Sequence, residues 1–352
     1  MNKLVNVGLV GFGMAGRIFH APTISCVPGL RLKKIRQTNA ANLPLINSRY
    51  PGTEVVPAAT DIFSDADIEL VVIGSPNATH YSLAKEALLA GKHVVVDKPF
   101  TVTVAEAEEL AALARSRNLL LSVYQNRRWD SDFLTVQKVL QSGLLGRLAE
   151  CEIHYDRFRN TLRPNTWKEA GDQGTGLLYD LGSHLIDQAL TLFGLPEAVS
   201  ADLRTQRPET KIIDNFELVL DYGNLKVTLK SGFLVKEPLP KYILLGEQGS
   251  FVKYGLDVQE EALNGGLSPA TTPNWGQEPE STWGTLHTEY NGVEFRGKVK
   301  SEAGNYVAYY ENILRALQGS EELRVKAEDG VNVIRIIERA FQSQAEKRWV
   351  RF

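Results

Sequence analysis

Gly11, Gly13 and Gly16 stand in G-x-G-x-x-G spacing directly after the apolar run Val5 to Val10, where a helical pattern opens. In that context each glycine has a use. The first permits a tight turn, the second lets a pyrophosphate approach the backbone, and the third lets the helix lie close to the strand. The helix N-terminus adds free N–H groups and a partial positive charge. The pattern points to a bound dinucleotide; without a βαβ setting it would be a glycine-rich turn. Ser75-Pro76-Asn77 follows another apolar run, where open sheets take ligands, although a turn and helix cap is the simpler reading. The run His93 to Val96 leads into Asp97-Lys98-Pro99, which puts a lysine at the carboxyl edge of a buried strand, facing the crevice, with Pro99 stiffening the exit. Taken alone, such a lysine is more often a solvated loop charge. After Gly176, Asp180, His184 and Asp187 recur at i, i+4 and i+7 and share one helix face, opposite Leu178, Leu181, Leu185 and Ile186. The plain alternative is an amphipathic helix with its polar side in water.

The elements that must position these residues follow from periodicity. Up to Tyr124, β-branched runs alternate with helical patterns: strands at Val5 to Val10, Leu30 to Arg36, Leu70 to Ile73, His93 to Val96 and Leu119 to Val123. That alternation predicts a doubly wound parallel sheet. Asn77 is placed to cap a helix through Leu89 that Gly91 ends, and Thr103 to Glu106 has the form of a capping box. Beyond Tyr124, alternating segments predict an antiparallel sheet: Cys151 to Arg157, Asn215 to Asp221, Leu225 to Lys230 and Tyr242 to Leu245, with a hairpin turn at Tyr222-Gly223-Asn224. Helices are expected at Leu177 to Phe193, Tyr306 to Leu317 and Asp329 to Gln344, and a long loop at Gly265 to Trp283. The expected domains are a dinucleotide-binding unit over 1–124 and an α/β unit over 125–352.

Composition narrows the class. The chain has 352 residues, which at ~150 per domain suggests two domains. With 39 Lys+Arg against 42 Asp+Glu, bulk charge gives no attraction to nucleic acid or anionic lipid. Two cysteines, Cys26 and Cys151, form no CxxC element, and reduced thiols in the cytoplasm suit them best. Lys3 before Leu4 to Val10 has the outline of a signal peptide, but Asn6, the glycines and Arg17 break it. No stretch reaches the roughly 18 to 20 apolar residues of a membrane span. A soluble, unexported protein is expected.

The glycine fingerprint, Asp97-Lys98-Pro99 and the run Leu178 to Asp187 together resemble the glucose-fructose oxidoreductase, inositol dehydrogenase and rhizopine catabolism (Gfo/Idh/MocA) family, over essentially the whole chain. Ser122 to Asp130, Lys253-Tyr254-Gly255 and Gly330 to Arg335 are similar to its NADP-dependent scyllo-inositol dehydrogenase branch. The resemblance implies a Rossmann domain, then an α/β domain with a large, mostly antiparallel sheet through which dimers or tetramers form. It assigns Lys98, Asp180 and His184 to catalysis. His184 would accept the hydroxyl proton as hydride leaves the carbinol carbon, Lys98 would stabilise alkoxide charge on the same oxygen, and Asp180 would orient substrate or histidine. Candidate cofactor contacts are Gly11, Phe12, Gly13, Met14, Gly16, Arg36, Gln37, Thr38, Ser75, Pro76, Asn77, His80, Lys98 and Asn126. Candidate substrate contacts are Lys98, Tyr155, Arg157, Trp167, Asp180 and His184, with Asn126 and Lys168 beside them, and no metal. Where the family usually carries Glu before the lysine, this chain has Asp97.

Cofactor choice is read at the end of the second strand. An NAD site usually puts an acid about 20 residues past the fingerprint to hold the ribose 2′-hydroxyl. Here Gln37 occupies that place beside Thr38, and Lys33, Lys34 and Arg36 favour a phosphate dianion, so NADP is expected, with NAD possible. The branch it resembles has Arg where this chain has Asn39. The expected substrate is a cyclic polyol or sugar such as scyllo-inositol or its inosose. The rival of another class is a dinucleotide sensor without turnover, which has no need of Lys98, Asp180 and His184 together. A zinc alcohol dehydrogenase would need Cys and His ligands that the six histidines and two cysteines do not pair to supply.

Overall fold

The computed structural model describes residues 4–164 and 166–352, so Lys3 lies outside the described residues. The chain divides into two compact units: Met1–Asn126 with Gln259–Trp275 and Asn305–Val331, and Arg127–Val258 with Gly276–Gly304 and Asn332–Phe352. The first break falls beside Tyr124. Two later segments belong to the first unit as well.

In the first unit, β1 (Val5–Val10), β2 (Leu30–Arg36), β3 (Glu54–Val56), β4 (Ile68–Ile73), β5 (His93–Val96) and β6 (Leu121–Val123) form a six-stranded sheet in the order β3-β2-β1-β4-β5-β6. All its pairings are parallel. Strand order reverses between β1 and β4, and a ligand crevice opens at such a switch point, outside the strands' carboxyl ends. β3 has no counterpart among the expected strands, being a three-residue edge strand too short to show a period. The Thr103–Glu106 capping box is present in full. Asn77 is not at a cap position: the N-cap of the 3-10 turn Asn77–Thr79 is Pro76, and that of the α-helix His80–Leu89 is Thr79. After the fingerprint the chain forms a π-helical segment, Gly16–His20, before an α-helical turn, Ala21–Ser25.

The segment Asn305–Val331 completes this unit's core. Its helix Val307–Leu317 brings the Tyr309 hydroxyl to 2.8 Å from Ser122 Oγ, and Ser122 donates to the Val325 carbonyl at 2.7 Å. The Tyr310 hydroxyl lies 2.6 Å from His20 Nδ1. At Gly29 (φ +106°) an added Cβ would lie 2.9 Å from a Leu314 methyl.

The second unit is built on β7 (Leu148–His154), β8 (Ala198–Arg204), β9 (Asn215–Asp221), β10 (Lys226–Gly232), β11 (Tyr242–Gly246), β12 (Gly249–Lys253), β13 (Gly284–Tyr290), β14 (Val293–Val299) and β15 (Val350–Arg351). They form one nine-stranded sheet in the order β14-β13-β12-β11-β7-β10-β9-β8-β15. Only the β7–β10 pair is parallel. The turn after Asp221 closes with the Tyr222 amide donating to Leu225, and Gly223 takes φ +71°. The expected helix Leu177 to Phe193 is a π-helical turn, Leu178–Gly182, followed by an α-helix, Ser183–Phe193. Among the described residues, no helix is long and apolar enough to cross a membrane.

Residues 1–124 alone lack Tyr309, Tyr310, Leu314 and Val325, so the fragment loses the hydrogen bonds of Ser122 and His20 and the apolar cover that the segment Asn305–Val331 supplies. That fragment is expected to show no cooperative thermal transition by circular dichroism and no NADP+ binding by calorimetry. A cooperative melt would show that the later segment is dispensable.

Candidate active site

The first unit's contribution is mostly backbone. Gly11 has φ +107°, and a Cβ there would lie 2.6 Å from the Gly74 carbonyl oxygen; at Gly16 it would lie 2.1 Å from that of Gly11. A Cβ on Gly13 would meet nothing within 4 Å, so the second glycine faces open space, as close approach of a pyrophosphate requires. The residues present therefore suit a dinucleotide. Phe12 turns its side chain into the core, edge-on to Tyr50, leaving its backbone to the loop, whereas Met14 is exposed. Gln37 is bound to its own loop: its Oε1 accepts from the Thr38 and Asn39 amides at 2.8 and 2.7 Å, and its Nε2 donates to the Phe12 carbonyl at 3.4 Å.

The structure corrects one part of the reading at the end of β2. Lys33 binds Asp65 and Asp67, both at 2.9 Å, and Lys34 binds Asp65 at 3.0 Å. These pairs hold the Asp65 carboxyl far below the usual range, chiefly through the Lys33 hydrogen bond. Both lysines are spent on the fold. Arg36 remains, with its Nε donating to the Pro57 carbonyl at 3.2 Å, beside exposed Thr38.

At the exits of β4 and β5, Ser75 Oγ and Thr79 Oγ1 share a 2.7 Å hydrogen bond, and the Pro76 carbonyl accepts from the Thr79 amide. The Lys98 amide donates to Asp97 Oδ1 at 2.8 Å, and the Lys98–Pro99 peptide is cis. His80 is fully buried, its ring nitrogens 2.8 Å from the Pro99 carbonyl oxygen and 2.9 Å from that of Ser75. Asn126 is nearly buried and begins a 3-10 turn, Asn126–Trp129. Sequence reasoning passed over His20. Its ring is completely buried, packs tilted against Tyr124 with centroids 4.3 Å apart, and points Nε2 at Asp97 Oδ1, 3.9 Å away. Burial pushes its pKa down to about 4, against the pull of Asp97 and with the added push of His80. The sequence signal was a histidine in the turn directly after the fingerprint.

In the second unit, Lys168 reaches both carboxylate oxygens of Asp180, at 3.1 and 3.2 Å, from the turn Trp167–Glu169. Arg207 anchors that turn: it is buried against Asp214 and Glu169, each at 2.9 Å. Trp167 is exposed beside Lys168. His184, only 4% exposed, lies in the first turn of the α-helix. A π-helical turn takes more residues per revolution, so Asp180 and His184 come nearer to one line along the helix than regular α spacing would bring them. Asp187 does not form a solvent face with them: Arg128 clamps it at 2.8 and 2.6 Å, and it is 2% exposed. The whole segment Leu177 to Ala189 except Asp180 is buried, which removes the amphipathic reading. Tyr155 is a buried platform, with the cations of Arg127, Arg157 and Lys241 at 4.9, 5.0 and 4.6 Å from its ring. Arg157 also donates to the Tyr155 hydroxyl at 3.2 Å.

A Rossmann sheet with an open glycine cradle, followed by a unit with a large mixed sheet and a helix that carries a buried histidine, defines a dinucleotide-dependent oxidoreductase architecture. Residues 5–125 match the description "Oxidoreductase family, NAD-binding Rossmann fold", and residues 137–352 match "Oxidoreductase family, C-terminal alpha/beta domain". The chain belongs to the Gfo/Idh/MocA oxidoreductase family. It is 44% identical to the uncharacterized oxidoreductase YdgJ of Escherichia coli K12 over 344 residues, 97% of each chain. It is 39% identical to the scyllo-inositol 2-dehydrogenase (NADP+) IolW of Bacillus subtilis 168 over 346 residues, 98% of this chain and 95% of that one. The solved structure of the B. subtilis protein yvaA superimposes with a TM-score of 0.96 at 38% identity, covering 100% of this chain and 99% of that one.

His20 makes the fold acid-sensitive. Unfolded, it takes up a proton below its ordinary value of 6.5; folded, it stays neutral until about 4. Its share of stability is therefore present above about 6.5 and falls as pH drops toward 4, by on the order of 2 kcal/mol at pH 5. Urea unfolding at pH 7.5 and pH 5 is expected to show a smaller acid loss in His20→Gln than in the parent. Equal losses would remove His20 from the account.

Proposed function

We propose that the protein is an NADP-preferring dehydrogenase that moves a hydride between a secondary alcohol of a cyclic polyol or sugar and the nicotinamide, with scyllo-inositol and its inosose as the first candidates. The observation that carries this reading is the 39% identity, over nearly the whole chain, to an enzyme named scyllo-inositol 2-dehydrogenase (NADP+). The side chains support it. His184 sits almost out of water in the first turn of a rigid helix, where a neutral imidazole is suited to accept a hydroxyl proton. Asp180, held by Lys168, orients a substrate hydroxyl. Lys98 stabilises developing alkoxide charge as a hydrogen-bond donor. Arg157 offers a donor to a polyhydroxylated ring, whereas Tyr155, expected as a substrate contact, is buried under three cations and supports Arg157 from below. The dinucleotide, when bound, accepts or returns the hydride at its nicotinamide ring. The glycine loop and the Ser75-Pro76-Asn77 segment would hold it, with Thr38 and Arg36 receiving the 2′-phosphate. Assembly through the large sheet into a dimer or tetramer belongs to the same reading, supported by exposed Tyr290, Val293 and Phe295 on its outer hairpin.

His184→Ala is expected to lower kcat for scyllo-inositol oxidation by ~100- to 10,000-fold while leaving NADP+ affinity nearly unchanged. Parent-level turnover would remove His184 as the base. Steady-state kcat/KM is expected to favour NADP+ over NAD+, and Arg36→Ala to weaken NADP+ far more than NAD+. A preference for NAD+ in the parent would overturn the cofactor assignment, and equal losses in the variant would make Arg36 a residue of the fold.

A further inference from the structure

The His80 ring has no solvent exposure, and both its nitrogens face backbone carbonyl oxygens: Nδ1 that of Pro99 at 2.8 Å, Nε2 that of Ser75 at 2.9 Å. A carbonyl oxygen only accepts. A neutral imidazole carries one N–H, so it can satisfy one of the two and must turn a lone pair on the other. In a dry interior, where an unmade hydrogen bond is costly, only the imidazolium makes both contacts favourable.

The two carbonyls belong to the exits of neighbouring strands. Ser75 leaves β4 and opens the Ser75-Pro76-Asn77 segment; Pro99 follows Lys98 at the exit of β5. The Lys98 backbone is thus tied on both sides, by its own amide to Asp97 Oδ1 and by the next residue's carbonyl to His80. The Ser75 segment is tied in the same way, by its side chain to Thr79 and by its carbonyl to His80.

We propose that His80 is a positioning residue held as an imidazolium, a double donor that locks the Lys98–Pro99 corner to the Ser75 segment, and that it acts through Lys98 without touching the cofactor. This assignment replaces the direct cofactor contact expected for His80 and rests on the reading of Lys98 as a catalytic donor.

The test uses the full-length protein labelled with 15N-histidine at pH 7, with the His80 ring signals assigned through its own backbone amide. Two protonated ring nitrogens are expected; one bare nitrogen overturns the proposal. In His80→Gln, and in His80→Asn as a second variant, amide hydrogen exchange is expected to rise in peptides covering 74–80 and 97–101, with the rest of the protein unchanged. Unchanged exchange in both peptides also overturns it. With NADP+ and scyllo-inositol, kcat of the variants is expected to fall ~10- to 100-fold, the scale of a small misplacement of a reacting group, and KM for NADP+ to change much less. Parent-like kcat in a variant that shows the raised exchange overturns the positioning role. If the parent enzyme leaves scyllo-inositol unoxidised, the substrate reading fails, while the nitrogen spectrum and the exchange still decide the clamp. If Lys98→Met keeps full turnover, the Lys98 reading fails and the clamp remains a feature of the fold.

Discussion

At the carboxyl ends of β1 and β4 two backbones meet with no room for a side chain between them. A methyl group on Gly11 would collide with the Gly74 carbonyl, and one on Gly16 with that of Gly11. The Gly74 amide donates to the Val10 carbonyl at 2.9 Å, which carries the sheet's hydrogen bonding past the strand ends. This contact starts the first helical turn directly against the sheet, and the free amides of a helix N-terminus are what an anionic ligand needs. It also creates a problem below the surface. Polar groups beneath the strand exits lie in a dry region without a further turn of strand to satisfy them, and their partners come from buried histidines and tyrosines: His20 with Tyr310, His80 with two carbonyls, Ser122 with Tyr309.

The second unit solves a different problem. Its candidate site groups, half-buried Asp180 and Lys168 and buried His184, sit on elements held by buried ion pairs. Arg207 fixes the turn carrying Lys168, and Arg128 fixes the helix carrying His184 through Asp187. Lys253, fully buried, meets Glu278 at 2.7 Å, and Glu278 also receives the hydroxyls of Ser131 and Ser301. Such pairs add little net stability over apolar packing, yet losing one partner costs about 3–5 kcal/mol because the other charge stays stranded. Their effect is placement: Asp187 and Glu169 are each locked by a neighbour that cannot move away cheaply, and the helix and the turn they belong to are fixed with them.

Some of this was legible in the sequence because it depends on near neighbours. The glycine spacing, the runs of β1, β2 and β5, and the Thr103–Glu106 capping box are set by residues a few positions apart, so local order declares them. The lysine after Asp97 and the histidine after Asp180 were legible as residue types at spacings that chemistry can use. The tertiary structure decided what those residues face. Lys33 and Lys34 looked available to a phosphate until Asp65 and Asp67 arrived from a later loop. Asp187 looked like a solvent-facing partner of His184 until Arg128 buried it. β14 shows almost no buried face and carries no alternation to read, so only its ladder with β13 makes it a strand. The return of Asn305–Val331 into the first unit and the two carbonyls around His80 likewise escape any window of sequence. Periodicity records which face of an element is apolar, whereas burial, charge pairing and hydrogen-bond partners depend on residues that only folding brings within reach.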